Sequence, residues 1–171
     1  MNLDIDTTSF KKVSTIQIPD IFNRRLKTGI NKIDELLGGG FLPGSSFTLC
    51  ANAGCGKTTL MLQTLEAMAS NGYKVGYASG EESVFQLAHT CARLNVQNVE
   101  IANETDVELL AQAMKNYDIL IVDSFQALTT KLATNSRAVE KHAVQTLVRA
   151  GKDNECVLGF IMHLTKSGDL K

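Results

Sequence analysis

Apolar and polar positions along this chain fall into short blocks whose period switches repeatedly. Between residues 28 and 37, Ile30, Ile33, Leu36 and Leu37 recur at helical spacing. Gly38-Gly39-Gly40 closes that helix, because a glycine supplies the positive φ that a helix C-terminus favours. Pro43-Gly44 reads as a turn. Five apolar runs follow, Phe47–Cys50, Val75–Ala78, Val99–Ala102, Ile119–Val122 and Val157–Met162, all too short for helices. Segments of helical period separate them: Lys57–Ala69, Ser83–Leu94 with Ser83 as N-cap, Asp106–Lys115 and Ser136–Lys152. Ile119–Val122 is apolar at every position, which places it in the middle of a sheet. The alternation predicts an α/β fold, a mostly parallel central sheet flanked by helices on both faces. Residues 1–27, without a clear period, read as an N-terminal arm or tail, and residues 28–171 as the core.

Composition narrows the function classes. A hydrophobic share of 44% is enough for one domain with a packed core. The formal net charge of -1 leaves no overall basic field, so any contact with nucleic acid must come from a local patch. None of the 4 cysteines is spaced as C-x-x-C, so neither a zinc ribbon nor a thioredoxin-like motif is supported. Cys50 and Cys156 lie in apolar runs and read as small buried hydrophobes, reduced in a cytoplasmic protein. The acidic N-terminus is no signal peptide, and no apolar run reaches the roughly 18 residues of a membrane span.

The strongest chemical signal is Ala51-Asn52-Ala53-Gly54-Cys55-Gly56-Lys57-Thr58-Thr59, between an apolar strand and a helix. Small residues let backbone N–H groups turn toward phosphates, and a helix N-terminus adds partial positive charge. Lys57 reaches the β- and γ-phosphates of ATP, and the hydroxyl of Thr58 ligates Mg²⁺. Ala51 stands where the usual spacing has its first glycine. A Cβ there disfavours positive φ, so a slightly adjusted loop is expected.

Carboxylates complete such a site. Asp123 ends the apolar run Ile119–Val122 and so emerges at the sheet edge where open α/β sheets bind ligands, in place to hold the metal with Thr58. Glu81 and Glu82 follow the second run. Either can polarise a water or simply favour the helix N-terminus behind it, and Glu81, nearer the strand, is the expected base. His163 after the fifth run is either a γ-phosphate sensor or a structural histidine. Lys131, Arg137, Lys141, Arg149 and Lys152 follow the fourth run, and Arg137 and Lys141 share a helix face. They are either a phosphate-contacting patch or a solvated face. Apart from Phe125 no aromatic is interleaved for base stacking.

Taken together, these segments resemble the RecA superfamily of ATPases, nearest to its RadA/Sms DNA-repair branch, with the KaiC-like ATPases next. The resemblance runs over about residues 28–168. It rests on Thr28-Gly29-Ile30 through Gly38-Gly39-Gly40, the phosphate loop, Tyr77-Ala78-Ser79-Gly80-Glu81-Glu82-Ser83, Ile121-Val122-Asp123-Ser124-Phe125-Gln126 and His163-Leu164-Thr165-Lys166-Ser167-Gly168. It implies a RecA-like core, ATP at subunit interfaces of a ring or filament, and single-stranded DNA as partner. By match, Glu81 falls on the family's catalytic glutamate and Asp123 on its metal-binding aspartate. Loops facing DNA would correspond to about 128–135 and to a segment starting at Lys166. The branch's four-cysteine zinc module, its Lys-Asn-Arg-Phe-Gly motif and its protease-like domain have no counterpart in the 171 residues. The core is therefore expected to lack its last strands. These departures bear on DNA translocation, whereas nucleotide binding survives them. A KaiC-like signalling ATPase without DNA, or a nucleotide-binding assembly module of weak hydrolysis, are the alternatives.

Overall fold

The computed structural model describes residues 10–133 and 135–163. Strands β1 (Ser46–Ala51), β2 (Val75–Ser79), β3 (Glu100–Ala102), β4 (Ile119–Asp123) and β5 (Val157–His163) form one parallel sheet. Their order is β1-β5-β4-β2-β3. The helices are α1 (Asn31–Leu36), α2 (Lys57–Ser70), α3 (Val84–Leu94), α4 (Val107–Ala113) and α5 (Ser136–Asp153).

The two-residue period of each strand sorts the core into two layers. Ile119 and Ile121 of β4 face Leu62, Leu65 and Met68 of α2 and Leu87 of α3. Leu120 and Val122 face the other way, onto Leu110 of α4 and Leu147 of α5. Buried at every position, β4 sits between β5 and β2, as its unbroken apolar run predicts. In β5, Gly159 makes room for its neighbours. A Cβ there would stand 2.4 Å from Ile121 Cδ1 and 2.6 Å from Phe47 Cζ.

Helix starts follow local chemistry. Ser83 Oγ accepts from Gln86 N at 3.3 Å while Gln86 Oε1 accepts from Ser83 N at 2.8 Å, a capping box that fixes α3 behind β2. Asp106 caps α4 and Asn135 caps α5 by a simpler device, the side-chain oxygen alone accepting from first-turn N–H groups. At the other end of the core, Asp34 Oδ1 accepts from both the N–H (2.7 Å) and the hydroxyl (2.8 Å) of fully buried Thr28. These bonds tie Thr28, ahead of the first helix, to Asp34 within it.

Leu26 pairs antiparallel with Phe41, and both are buried in the α2 layer. Gly40, at φ 123°, permits this approach, since a Cβ would lie 2.5 Å from Leu26 O. Residues 10–25 lie outside the core, in two single 3-10 turns and extended chain, with Phe10, Val13 and Ile18 exposed.

One expectation needs correcting. Cys156 is buried, but Cys50 is exposed. β1 ends the sheet order, and along it only alternate residues pack. Phe47 and Leu49 join the α2 layer, while Ser46, Thr48 and Cys50 point to a face that no described helix covers. An apolar run alone does not say that both faces are buried.

Candidate nucleotide site

Parallel strands deliver their C-terminal ends to a single edge, and the predicted residues meet there. The loop from Ala51 to Gly56 leaves β1 and enters α2 at Lys57. Gly54 (φ 76°) and Gly56 (φ 90°) take the left-handed turns, and nothing lies within 4 Å of where their Cβ atoms would be. Asn52, Ala53, Gly54, Cys55 and Gly56 are exposed, so this is an open cradle of backbone. Ala51 itself is the last residue of β1, paired with His163, and has no positive φ. The missing glycine therefore imposes no strain at that position. Thr59 continues α2 one position beyond Thr58.

Lys57 is 6% exposed, and its ammonium donates to Ala51 O (2.9 Å) and Asn52 O (3.0 Å) and lies 3.3 Å from His163 Nδ1. Neutral carbonyls are weaker partners for an ammonium than phosphate oxygens. A bound phosphate would thus draw Lys57 away from them.

Asp123, 8% exposed at the end of β4, is held on one oxygen only. Its Oδ2 accepts from Thr58 Oγ1 at 3.2 Å and from the hydroxyl of Tyr77 in the neighbouring strand β2. Its Oδ1 is buried without a hydrogen-bond partner. Burial, then the negative charge and hydrogen bond of Asp123, push the Tyr77 phenol far above its ordinary value, so Tyr77 acts here as a donor. A hydroxyl beside an unpartnered carboxylate oxygen is the hard oxygen set that Mg²⁺ prefers, and the residues present fit that ion. Glu81, Asp123 and His163 each bring a donor atom within 4.8 Å of the others.

Glu81 and Glu82 part company. Both backbone N–H groups donate to Ser79 Oγ, at 3.2 and 3.0 Å, which turns the chain sharply after β2. The Glu81 side chain is drawn into the site: Oε1 accepts from Ser124 Oγ at 2.6 Å, and Oε2 lies 3.4 Å from His163 Nε2. No side-chain bond ties Glu82 to the site among the described residues. Two participants, Tyr77 and Ser124, lie in segments that carry the resemblance but were given no role of their own from the sequence. Ser124 directly follows the strand-end Asp123, whereas Tyr77 lies in the middle of β2 and reaches the site only because β2 pairs with β4.

The basic residues do not form one patch. Lys131, Arg137, Lys141, Arg149 and Lys152 are all exposed, but α5 runs from the site edge back to the start of β5. Arg149 and Lys152 are carried to the far end, roughly 20 Å from Arg137 at 1.5 Å per residue. Arg149 pairs there with Asp153 at 3.5 Å. Phe125 is buried edge-on against Phe160 and is not available for stacking on a base. The segment 128–135, of which Thr134 is not described, is fastened at its start. Thr129 bridges Asp106, and Thr130 Oγ1 donates to Glu108 Oε1 at 2.8 Å. That carboxyl also meets His142 Nε2 of α5 at 2.7 Å. Burial raises the Glu108 pKa, but its bonds from His142 and Thr130 outweigh this and hold it below the usual value. The second expected DNA loop, beginning at Lys166, lies outside the described residues.

Fold and site together define a P-loop ATPase core of the RecA type: a strand–phosphate loop–helix unit with an aspartate, Asp123, ending a strand of the same parallel sheet. Comparison with known proteins agrees. The family profile of the KaiC ATPase matches residues 26–148, and the chain belongs to this family of the RecA superfamily. The chain is also similar to DNA repair protein RadA of Brucella abortus, 32% identical over 158 residues covering 85% of this chain and 34% of that protein. RadA of Chlamydia pneumoniae is 38% identical over 144 residues, 80% of this chain and 32% of that protein. RadA of Escherichia coli is 31% identical over 167 residues, 94% of this chain and 36% of that one. The chain thus spans about a third of the length of these relatives. Among solved structures, a KaiC-like protein from Pyrococcus horikoshii shares the fold, with TM-score 0.68 and 20% identity over 82% of this chain and 72% of that one. Among the described residues, no helix is long and apolar enough to cross a membrane.

Proposed function

We propose that this chain binds and hydrolyses ATP, and that it works as a ring or filament on single-stranded DNA in recombination or repair. The observation that carries the reading is the convergence of Lys57, Thr58, Glu81, Asp123 and His163 on one sheet edge from four different segments. Lys57 exchanges backbone carbonyls for the β- and γ-phosphates. The N–H groups of residues 52–59 wrap the phosphate chain. Thr58 and Asp123 hold Mg²⁺, which when bound supplies positive charge opposite the developing phosphate charge. Glu81 orients a water in line with the γ-phosphorus and takes its proton as the bond to the bridging oxygen of ADP breaks. His163, at the adjoining strand end, lies within reach of the γ-phosphate side.

Support for self-association comes from the arm. Phe10, Val13, Ile16, Ile18 and Phe22 all lie exposed on it, an apolar display better suited to a neighbouring subunit than to water. Support for DNA is narrower. RadA relatives are DNA repair proteins by name, and Lys131, Arg137 and Lys141 remain exposed near the site edge.

The test is steady-state ATP turnover with and without single-stranded DNA. Stimulation by DNA supports the reading. Turnover indifferent to DNA favours a KaiC-like ATPase that acts through protein partners. ATP binding without turnover reduces the chain to a nucleotide-binding assembly module.

A further inference from the structure

Lys57 does not end its interactions at the phosphate loop. An ammonium has three N–H donors and no acceptor. Here it has three neighbours: Ala51 O, Asn52 O and His163 Nδ1, at 2.9, 3.0 and 3.3 Å. Nδ1 must therefore be the acceptor of that contact, which leaves the ring proton on Nε2. Nε2 is buried and lies 3.4 Å from Oε2 of Glu81, without the alignment of a formed hydrogen bond. The other oxygen of Glu81 is fixed by Ser124 Oγ at 2.6 Å. The residue that a nucleotide recruits and the residue that activates water are thus joined through one imidazole.

We propose that His163 is a positioning residue that transmits the state of Lys57 to Glu81, with Ser124 as the fixed pivot of that carboxylate. This rests on the ATPase reading and deepens it by naming how the site is regulated. With Lys57 on the loop carbonyls, the protonated Nε2 of His163 stands beside Oε2 and attracts it electrostatically across 3.4 Å, without a formed hydrogen bond. When phosphates take Lys57, Nδ1 loses its donor and the ring is no longer bound to that tautomer. Oε2 is then released, while Ser124 keeps Oε1, and the carboxylate turns about that bond to meet water. Glu81 is thereby aligned only after Lys57 has engaged its ligand.

The chain contains 3 histidines, so each imidazole can be resolved by nitrogen-15 NMR of the ring and assigned by single substitution. The nucleotide-free protein should show His163 as the Nε2–H tautomer. Lys57→Met without nucleotide should weaken or reverse that preference, and magnesium with a non-hydrolysable ATP analogue should do the same to the unmodified protein. A His163 signal of the Nδ1–H form, or one that ignores Lys57→Met, overturns the proposal. The Lys57→Met comparison uses no nucleotide, so it decides the relay even if the protein binds no ATP, an outcome that sinks the ATPase reading instead. Kinetics supply the second readout. Ser124→Ala should lower kcat roughly tenfold or more with KM little changed, as expected for a misplaced base, and Ser124→Thr should restore it. His163→Gln, whose amide offers one acceptor and one donor, should retain more kcat than His163→Ala. Equal losses for Gln and Ala would count against the relay.

Discussion

Thr58 Oγ1, in the first turn of α2, donates to Asp123 Oδ2 at the end of β4, 3.2 Å away and 65 positions along the chain. The bond joins the phosphate loop to the sheet and leaves Asp123 Oδ1 buried without a partner, the oxygen proposed above to meet Mg²⁺. Asp123→Asn should therefore keep the fold and lower turnover by about 100-fold or more, the scale of losing one electrostatic stabiliser. Titration of the rate with Mg²⁺ checks the assignment, since the variant should need far more of the ion.

Tyr77 supports the same oxygen from β2. Tyr77→Phe removes the donor while leaving the ring's packing, and should cost about 1–2 kcal/mol, because the buried carboxylate loses a charge-assisted bond. Chemical denaturation of the two proteins measures the difference. An unchanged midpoint would mean that the phenol contributes nothing there.

Glu81→Gln should bind ATP as before yet lose turnover by roughly 100- to 10,000-fold, the range for a general base. Binding of a fluorescent nucleotide beside a phosphate-release assay separates the two effects. Normal turnover would remove Glu81 from its role.

Gly159→Ala should destabilise by about 1–3 kcal/mol through overpacking. The added methyl would meet Ile121 Cδ1 on a neighbouring strand and Phe47 Cζ on the other, so neither can withdraw freely. Thermal unfolding is a sufficient measurement.

Acid should weaken one specific link. Glu66 on α2 accepts from Gln97 N (3.0 Å), Asn98 N (2.9 Å) and Asn98 Nδ2 (2.6 Å). Burial raises its pKa, but the three bonds outweigh that and hold it below 4.5. A carboxyl with a depressed folded-state pKa adds stability above its unfolded value and loses it as pH falls through the folded one. Glu66 is partly exposed, so solvent limits the contribution to about 1 kcal/mol or less. Glu66→Gln should be less stable than the parent at pH 7, and the gap should close below pH ~4.

Much of this was readable from residue order. The apolar runs marked every strand, and the block from Ala51 to Thr59 marked the loop, because both depend on local chemistry. Asp123 was readable for the same reason, as a carboxylate ending a buried strand. Ser124 and Tyr77 were not, since their roles depend on which strands become neighbours, and β2 lies beside β4 only in the folded sheet. Cys50 was misplaced because an apolar run does not reveal that its strand sits at the end of the sheet order. The basic residues were near in sequence, but one helix separates them in space.

The strand order carries a consequence for how the molecule is made. β1 pairs with β5 and with no other described strand, so the first described strand waits for the fifth. Lys57 likewise meets its ring partner 106 positions later. Pairings this distant are slow to form because loop closure precedes any reward. On the ribosome, where domains tend to fold as units once emerged, a chain shorter than His163 holds the phosphate loop on an unpaired strand. Nucleotide capture should therefore begin abruptly, once β5 has emerged and paired with β1.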